Sequence, residues 1–196
     1  MSAPKSKTDI NVMIDLETLS TRPHAAIIVI GAIKFKKDVN LSDDITQENI
    51  NKTDSFYRRI TIDSCMYTGL HFDPDTEKWW KEQDNDVRYE ALENPDRVHL
   101  VQALFAFSEW LHKDKENDIK VWGNGSNFDC TILGEAYTRV GMEIPWKFWN
   151  VRDLRTIMDI GGVKMKDLPT YNKHNAIYDC YRQIIGYQRS IKNLGV

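Results

Sequence analysis

Residues 11–35 leave this chain few folds to choose from. They open with N-V-M-I, an apolar run that gives way to D-L-E-T, and close with A-A-I-I-V-I-G-A-I-K-F. The second run is crowded with β-branched residues, the composition of a strand bounded by polar turns. Residues 11–14 read as a buried strand ending near Asp15, and residues 25–35 as the next strand, with Gly31 a candidate bulge. S-F-Y-R-R-I over 55–60 supplies a third. The three make an antiparallel meander, joined across the polar stretch 38–53, which reads as a surface loop.

Helical signals follow. Asp73-Pro74 is an acidic cap with proline at the first helical position, opening T-E-K-W-W-K-E-Q. A helix is expected over 84–92, and another from Asn94-Pro95, with Val98, Val101, Leu104, Phe105 and Leu111 on its apolar stripe and Ser108 the one polar residue there. Residues 120–122 read as a strand running into the loop G-N-G-S, and 128–140 as a helix closed by Gly141. One more strand over 147–151, a helix over 153–160 and a last helix over 176–191 complete the reading. Three antiparallel strands, then strand–helix–strand–helix, predict an α/β fold with a mixed sheet flanked by helices. Residues 1–9 read as a flexible tail and 10–196 as a single domain.

Composition permits many functions. With 41% hydrophobic residues, 196 residues can bury about 70% of their unfolded surface. No run of about 18 apolar residues is present, so no membrane span is expected. Cys65, Cys130 and Cys180 share no metal-ligand spacing, which fits packing thiols in a reducing, cytoplasmic compartment. The net charge of −3 disfavours tight duplex binding. If four of the 29 acidic residues face bound metal, however, 25 remain against 26 basic ones, and a single-stranded end in a metal-lined pocket is compatible.

Five residues carry the chemistry. Asp15 and Glu17 sit two apart on an extended run, so both carboxylates share one face. Asp129 follows G-S-N-F just after a strand; Ser126-x-x-Asp129 also resembles a capping box, and a first-turn carboxylate can serve both ends. His174 and Asp179 would diverge by about 140° on one continuous helix. Asn175 is a good cap, which puts His174 on the preceding loop and Asp179 in the first turn. Each fragment alone has a commonplace structural explanation.

Taken together, the order D-x-E, D, H-x4-D resembles the DEDDh (DnaQ-like) 3′–5′ exonucleases of the ribonuclease H-like superfamily at all five positions. T-E-K-W-W-K-E-Q and K-F-W-N-V-R-D-L-R-T are similar to a phage and bacterial branch that includes the exonuclease A of T-even phages and a mycobacterial exoribonuclease. The resemblance runs from about Asn11 to Ile191. It implies a ribonuclease H-like fold and a two-metal hydrolase that releases nucleoside monophosphates from single-stranded DNA 3′ ends, with trimming of RNA 3′ overhangs as the second reading and a non-catalytic nucleic-acid binding module as a third. Asp15, Glu17, Asp129 and Asp179 are then expected to bind two Mg²⁺ or Mn²⁺ ions, since hard oxygen ligands without thiolate or imidazole suit those cations. His174 is the expected general base; histidine's free pKa, about 6.5, lies nearest neutral.

Other candidates are secondary. Thr18 and Leu19 are implied by the resemblance to contact the terminal nucleotide. Phe128 is read as a base-stacking residue or as core. Trp79 and Trp80 cannot both face the core, and Trp80 is carried as the substrate-side residue. Arg152 and Arg155 are read as phosphate contacts or surface ion pairs. The oligomeric state is left open, with a homodimer among the options.

Overall fold

In the computed structural model, residues 9–113, 118–170 and 174–195 are described. Strands β1 (Asp9–Thr18), β2 (Ile27–Phe35), β3 (Asp54–Arg59), β4 (Asp118–Gly123) and β5 (Val151–Asp153) form one sheet in the order β3-β2-β1-β4-β5. The first three strands pair antiparallel as a meander, while β4 and β5 run parallel to β1. Among the described residues eight α-helices flank this sheet: α1 (Gln47–Ile50), α2 (Ile62–Tyr67), α3 (Pro74–Lys81), α4 (Asn85–Arg88), α5 (Leu100–Leu111), α6 (Asp129–Arg139), α7 (Leu154–Ile160) and α8 (Ala176–Leu194). A π-helical turn, Tyr89–Glu93, continues α4. The expected tail lies outside the described residues, except that Asp9 already pairs with Asp118.

The period of two along β1 sorts the core into two layers. Val12, Ile14 and Leu16 pack with α2, α5 and α6, whereas Met13 points to the other face with Trp122, α7 and α8. Asp15 and Glu17 share the face of Met13, so α8 is the helix that meets them.

Local expectations and structure part company at a few points, each for a tertiary reason. The register irregularity lies between Glu17 and Thr18, not at Gly31. Gly31 instead allows close helix approach, because a Cβ there would stand 2.7 Å from the Ala176 carbonyl carbon. The polar stretch 38–53 contains α1, capped by Thr46 and anchored by buried Ile50. Asn94 and Pro95 do not start α5. Asn94 Oδ1 accepts from Asp96 N at 3.0 Å, a local turn, and the helix begins at Leu100 with His99 as cap.

The buried stripe of α5 is therefore Leu100, Ala103, Leu104, Phe107 and Leu111, while Val101 and Phe105 are exposed. Before β5, Phe148–Asn150 form a 3-10 turn rather than strand, and the strand runs Val151–Asp153. Finally, the capping box at Ser126 does not form. Phe128 is the N-cap of α6 without a side-chain bond. Ser126 N instead donates to Asp153 Oδ2 at 2.6 Å, and Asp129 is left for other work.

Candidate active site

The carboxyl ends of β1, β4 and β5 and the start of α8 enclose a cleft of about 530 Å³. Asp15 and Glu17 line it from β1, Asp129 from α6, and Asp179 and His174 from the start of α8. One carboxylate oxygen each from Asp15, Glu17 and Asp179 lie within 4.8 Å of one another. Asp129 flanks this trio, its Oδ1 accepting from Leu16 N at 3.2 Å. Gly123 makes room for it, since a Cβ there would come within 2.9 Å of Asp129 Oδ2.

Four acidic groups this close are costly in isolation. Burial, then the charges of Asp129, Glu17 and Asp179, hold the Asp15 carboxyl well above its ordinary range, and a hydrogen bond from Gln183 opposes them. Burial with Asp179 and Asp129 pushes Glu17 up to about 8. Burial pushes Asp129 up to about 7, against hydrogen bonds from Leu16 N and other backbone amides and the charge of Arg155. Asp179 is also raised by burial, while His174 and Arg182 pull it down. Asp15 and Asp179 each keep some surface open to the cleft, so water is displaced by the walls around them rather than by complete enclosure.

The fit to a divalent cation is direct. The donors are hard oxygens, mutually repelling, and Glu17 Oε1 is buried with no donor among the described residues. Such carboxylates carry a pH signature. Groups raised in the folded state give stability that is complete below their unfolded pKa, about 4, and is lost as pH rises through the folded values. The metal-free protein in EDTA is therefore expected to melt several degrees higher at pH 5 than at pH 8. Glu90 and Asp153, both lowered, run the other way but lose their contribution only in more acid solution. A melting temperature flat or rising over that interval would count against a strained acidic cluster.

His174 occupies the left-handed region, with φ 57, just outside α8. Asn175 caps the helix, its Oδ1 accepting from Ile177 N at 3.3 Å, so chain direction changes between the imidazole and Asp179. The ring stands edge-to-face against Trp79 (centroids 5.1 Å apart) and Trp80 (6.0 Å). A left-handed non-glycine residue is uncommon, and here the indoles supply part of what holds it.

A second hollow of about 500 Å³ adjoins the cleft through Leu16, Glu17 and Phe128. Thr18 and partly buried Phe128 line it. Trp80, though at its wall, is 2% exposed and donates from Nε1 to Thr18 O at 2.9 Å. Trp79 is the open member of the pair at 42%. Leu19 is fully buried, its N–H bonded to Ala26 O and its carbonyl to Asp73 N, so it offers the hollow no free group. Arg155 lines the cleft beside Asn124, whereas Arg152 is turned to the carbonyls of Trp149 and Val151. Gln183, which the sequence did not single out, reaches Asp15 from α8. Its signal was its place one helical turn after Asp179.

Known proteins resemble this chain in sequence and in fold. A family model described as the 3′-5′ exoribonuclease Rv2179c-like domain matches residues 10–189. The exodeoxyribonuclease of Enterobacteria phage T4 is 24% identical over 202 residues, 88% of this chain and 85% of the phage protein. E. coli exonuclease I in complex with a dA16 oligonucleotide superposes with a TM-score of 0.63 at 13% identity, over 94% of this chain. An apo form of exonuclease I gives 0.63 at 14% identity, over 95%. This chain spans only 41% and 42% of those two chains, and at such identities the likeness is one of fold. With the family match covering nearly the whole sheet and the cleft built on it, the chain belongs to the 3′-5′ exoribonuclease Rv2179c-like domain family and is a 3′–5′ exonuclease of the ribonuclease H-like fold.

Proposed function

We propose that the chain releases nucleoside monophosphates from single-stranded DNA 3′ ends, with Asp15, Glu17, Asp129 and Asp179 holding two Mg²⁺ or Mn²⁺ ions and His174 acting as general base. One observation carries the reading: carboxylates from three separate elements converge on one cleft with an imidazole at its side. When bound, the cations supply a water that is nucleophilic at neutral pH and neutralise charge on the departing oxygen.

The chain's own groups do the rest. A His174 ring nitrogen takes a proton from the water whose oxygen bonds to phosphorus. The bond from phosphorus to the 3′ oxygen breaks, and the phosphate stays on the released nucleotide. The departing 3′ oxygen takes a proton from solvent to become the 3′-OH of the shortened strand, while His174 returns its proton to solvent. Thr18 and Phe128 border the hollow that would seat the terminal nucleotide, and a base stacked on an aromatic ring is worth about 1–3 kcal/mol. Arg155, exposed on the cleft wall, faces incoming phosphate. A reducing cytoplasmic setting fits three free, buried cysteines.

The name of the phage relative favours DNA, and the family description favours RNA 3′ ends as the second reading. Matched 5′-labelled DNA and RNA oligomers with Mn²⁺ decide between them. A ladder shortening from the 3′ end on DNA, at least tenfold slower on RNA, supports the first reading; the opposite ratio supports the second. No shortening of either with Mg²⁺ or Mn²⁺ sinks both. His174→Ala is expected to lower kcat by about 10²–10⁴-fold with KM little changed. An unchanged kcat removes His174 as the base.

A further inference from the structure

Gln183 lies on α8 one turn past Asp179, only 2% exposed, between Cys180 and Ile184 of the buried face. Its Nε2 donates to Asp15 Oδ1 at 2.6 Å. Burying an amide is costly unless its groups are bonded, and this one is only partly so. Its Oε1 has no donor among the described residues. Two buried side-chain oxygens among the described residues are left in that state, Gln183 Oε1 and Glu17 Oε1, and both residues line the same cleft. A glutamine that merely filled space there would be better replaced by methionine, which has its shape and no polar atoms to satisfy.

Neutrality is the informative property. A lysine or arginine at this place would bond Asp15 more strongly, but it would neutralise the carboxylate and compete with a cation for it. A neutral amide fixes the orientation of Oδ1 and leaves the charge intact. Hard cations such as Mg²⁺ retain several waters, whose hydrogens need acceptors. Groups that orient metal ligands in this way typically account for 10–100-fold in affinity.

We propose that Gln183 is a positioning residue of the metal site, its amide N–H orienting Asp15 and its Oε1 accepting from water on a divalent cation; this rests on the metal-binding reading above. The test is a calorimetric Mn²⁺ titration of the metal-free full chain in four forms: wild type, Gln183→Met, Gln183→Asn and Asp15→Ala. The methionine variant removes the amide and the asparagine variant withdraws it by one methylene. Both are expected to bind Mn²⁺ 10–100-fold more weakly. At saturating Mn²⁺, kcat should fall while KM for a 5′-labelled oligomer stays within twofold.

A role in packing alone would lower the metal-free melting temperature and leave Mn²⁺ affinity within twofold of wild type, and that result overturns the proposal. Wild-type protein gives a readout that needs no variant. The side-chain amide resonances of Gln183 should shift on Mg²⁺ addition, and their constancy overturns the proposal too. Asp15→Ala separates the two levels: if it binds Mn²⁺ as tightly as wild type, the metal site itself is misassigned. If it loses binding while both Gln183 variants keep theirs, only the role of Gln183 falls.

Discussion

Asp15→Asn is expected to abolish nucleotide release and, at pH 8 in EDTA, to raise the melting temperature. The substitution keeps shape, and the amide oxygen can still accept from Gln183 Nε2, now at 2.6 Å from Asp15 Oδ1. What disappears is a charge that burial and the three neighbouring carboxylates oppose. Each pKa unit of such opposition is worth about 1.4 kcal/mol. In a chain of this size 1 kcal/mol moves the melting temperature by about 2–4 °C, so the gain is within reach of a thermal melt.

Activity should move the other way, by about 10³-fold or more, as for removal of a group that acts directly on the reacting centre. With Mn²⁺ the order of stabilities should reverse, because only the wild type gains the full linkage free energy of a bound ion. Differential scanning fluorimetry with and without Mn²⁺, beside the oligomer assay, reads all three effects. Activity within tenfold of wild type would remove Asp15 from the chemistry. An unchanged melting temperature in EDTA would mean that its charge is not under strain. The protein thus gives up metal-free stability at the site where its cation would bind.

Much of this geometry was legible in the chain, and the illegible part has a consistent cause. A period of two in N-V-M-I-D-L-E-T is enough to put Asp15 and Glu17 on one face, because strand geometry is local. The asparagine before A-I-Y-D is enough to end the loop at His174, because capping is local as well. Ser126 shows the limit. Its capping pattern is a sound local signal, but Asp153, 27 residues on, takes its amide, and Asp129 bonds Leu16 N, 113 residues away. The same holds for Gln183, whose partner lies 168 residues back in sequence. Helical spacing places it above Asp179, but only the seating of α8 on the sheet shows that this face looks toward Asp15. The tryptophan pair behaves likewise: adjacency says that one must turn outward, and the bond from Trp80 to Thr18 O decides that it is Trp79.

That seating depends on one residue, and Gly31→Ala is expected to damage both stability and catalysis. Gly31 is opposite Asp15 in the β1–β2 register, at the point where α8 crosses the sheet. A Cβ there would meet the Ala176 carbonyl carbon and Cβ at 2.7 Å and its oxygen at 2.9 Å. Two of these three atoms are backbone, so no side-chain rotation relieves the overlap; the first turn of α8 must lift. Cys180 shows how little slack there is, its Sγ lying 3.4 Å from Gly31 O and 3.5 Å from Met13 O.

Overpacking of this kind costs about 1–3 kcal/mol, a fall of several degrees in melting temperature. The catalytic loss should be larger than stability alone explains. Asp179 lies in the turn that lifts and His174 directly precedes it, and a shift of about 1 Å at reacting groups can cost 10²-fold. At a temperature where the variant is fully folded, kcat should therefore drop by about two orders of magnitude. Gly134→Ala is the control. It lies within α6, and its Cβ would meet two side-chain atoms at ordinary contact distance, Ile144 Cδ1 at 3.4 Å and Trp146 Cζ2 at 4.0 Å. Alanine is also the better helix former, so stability should hold or rise with activity unchanged. If Gly31→Ala melts and turns over like wild type, the close approach of α8 to β2 is not what assembles the site.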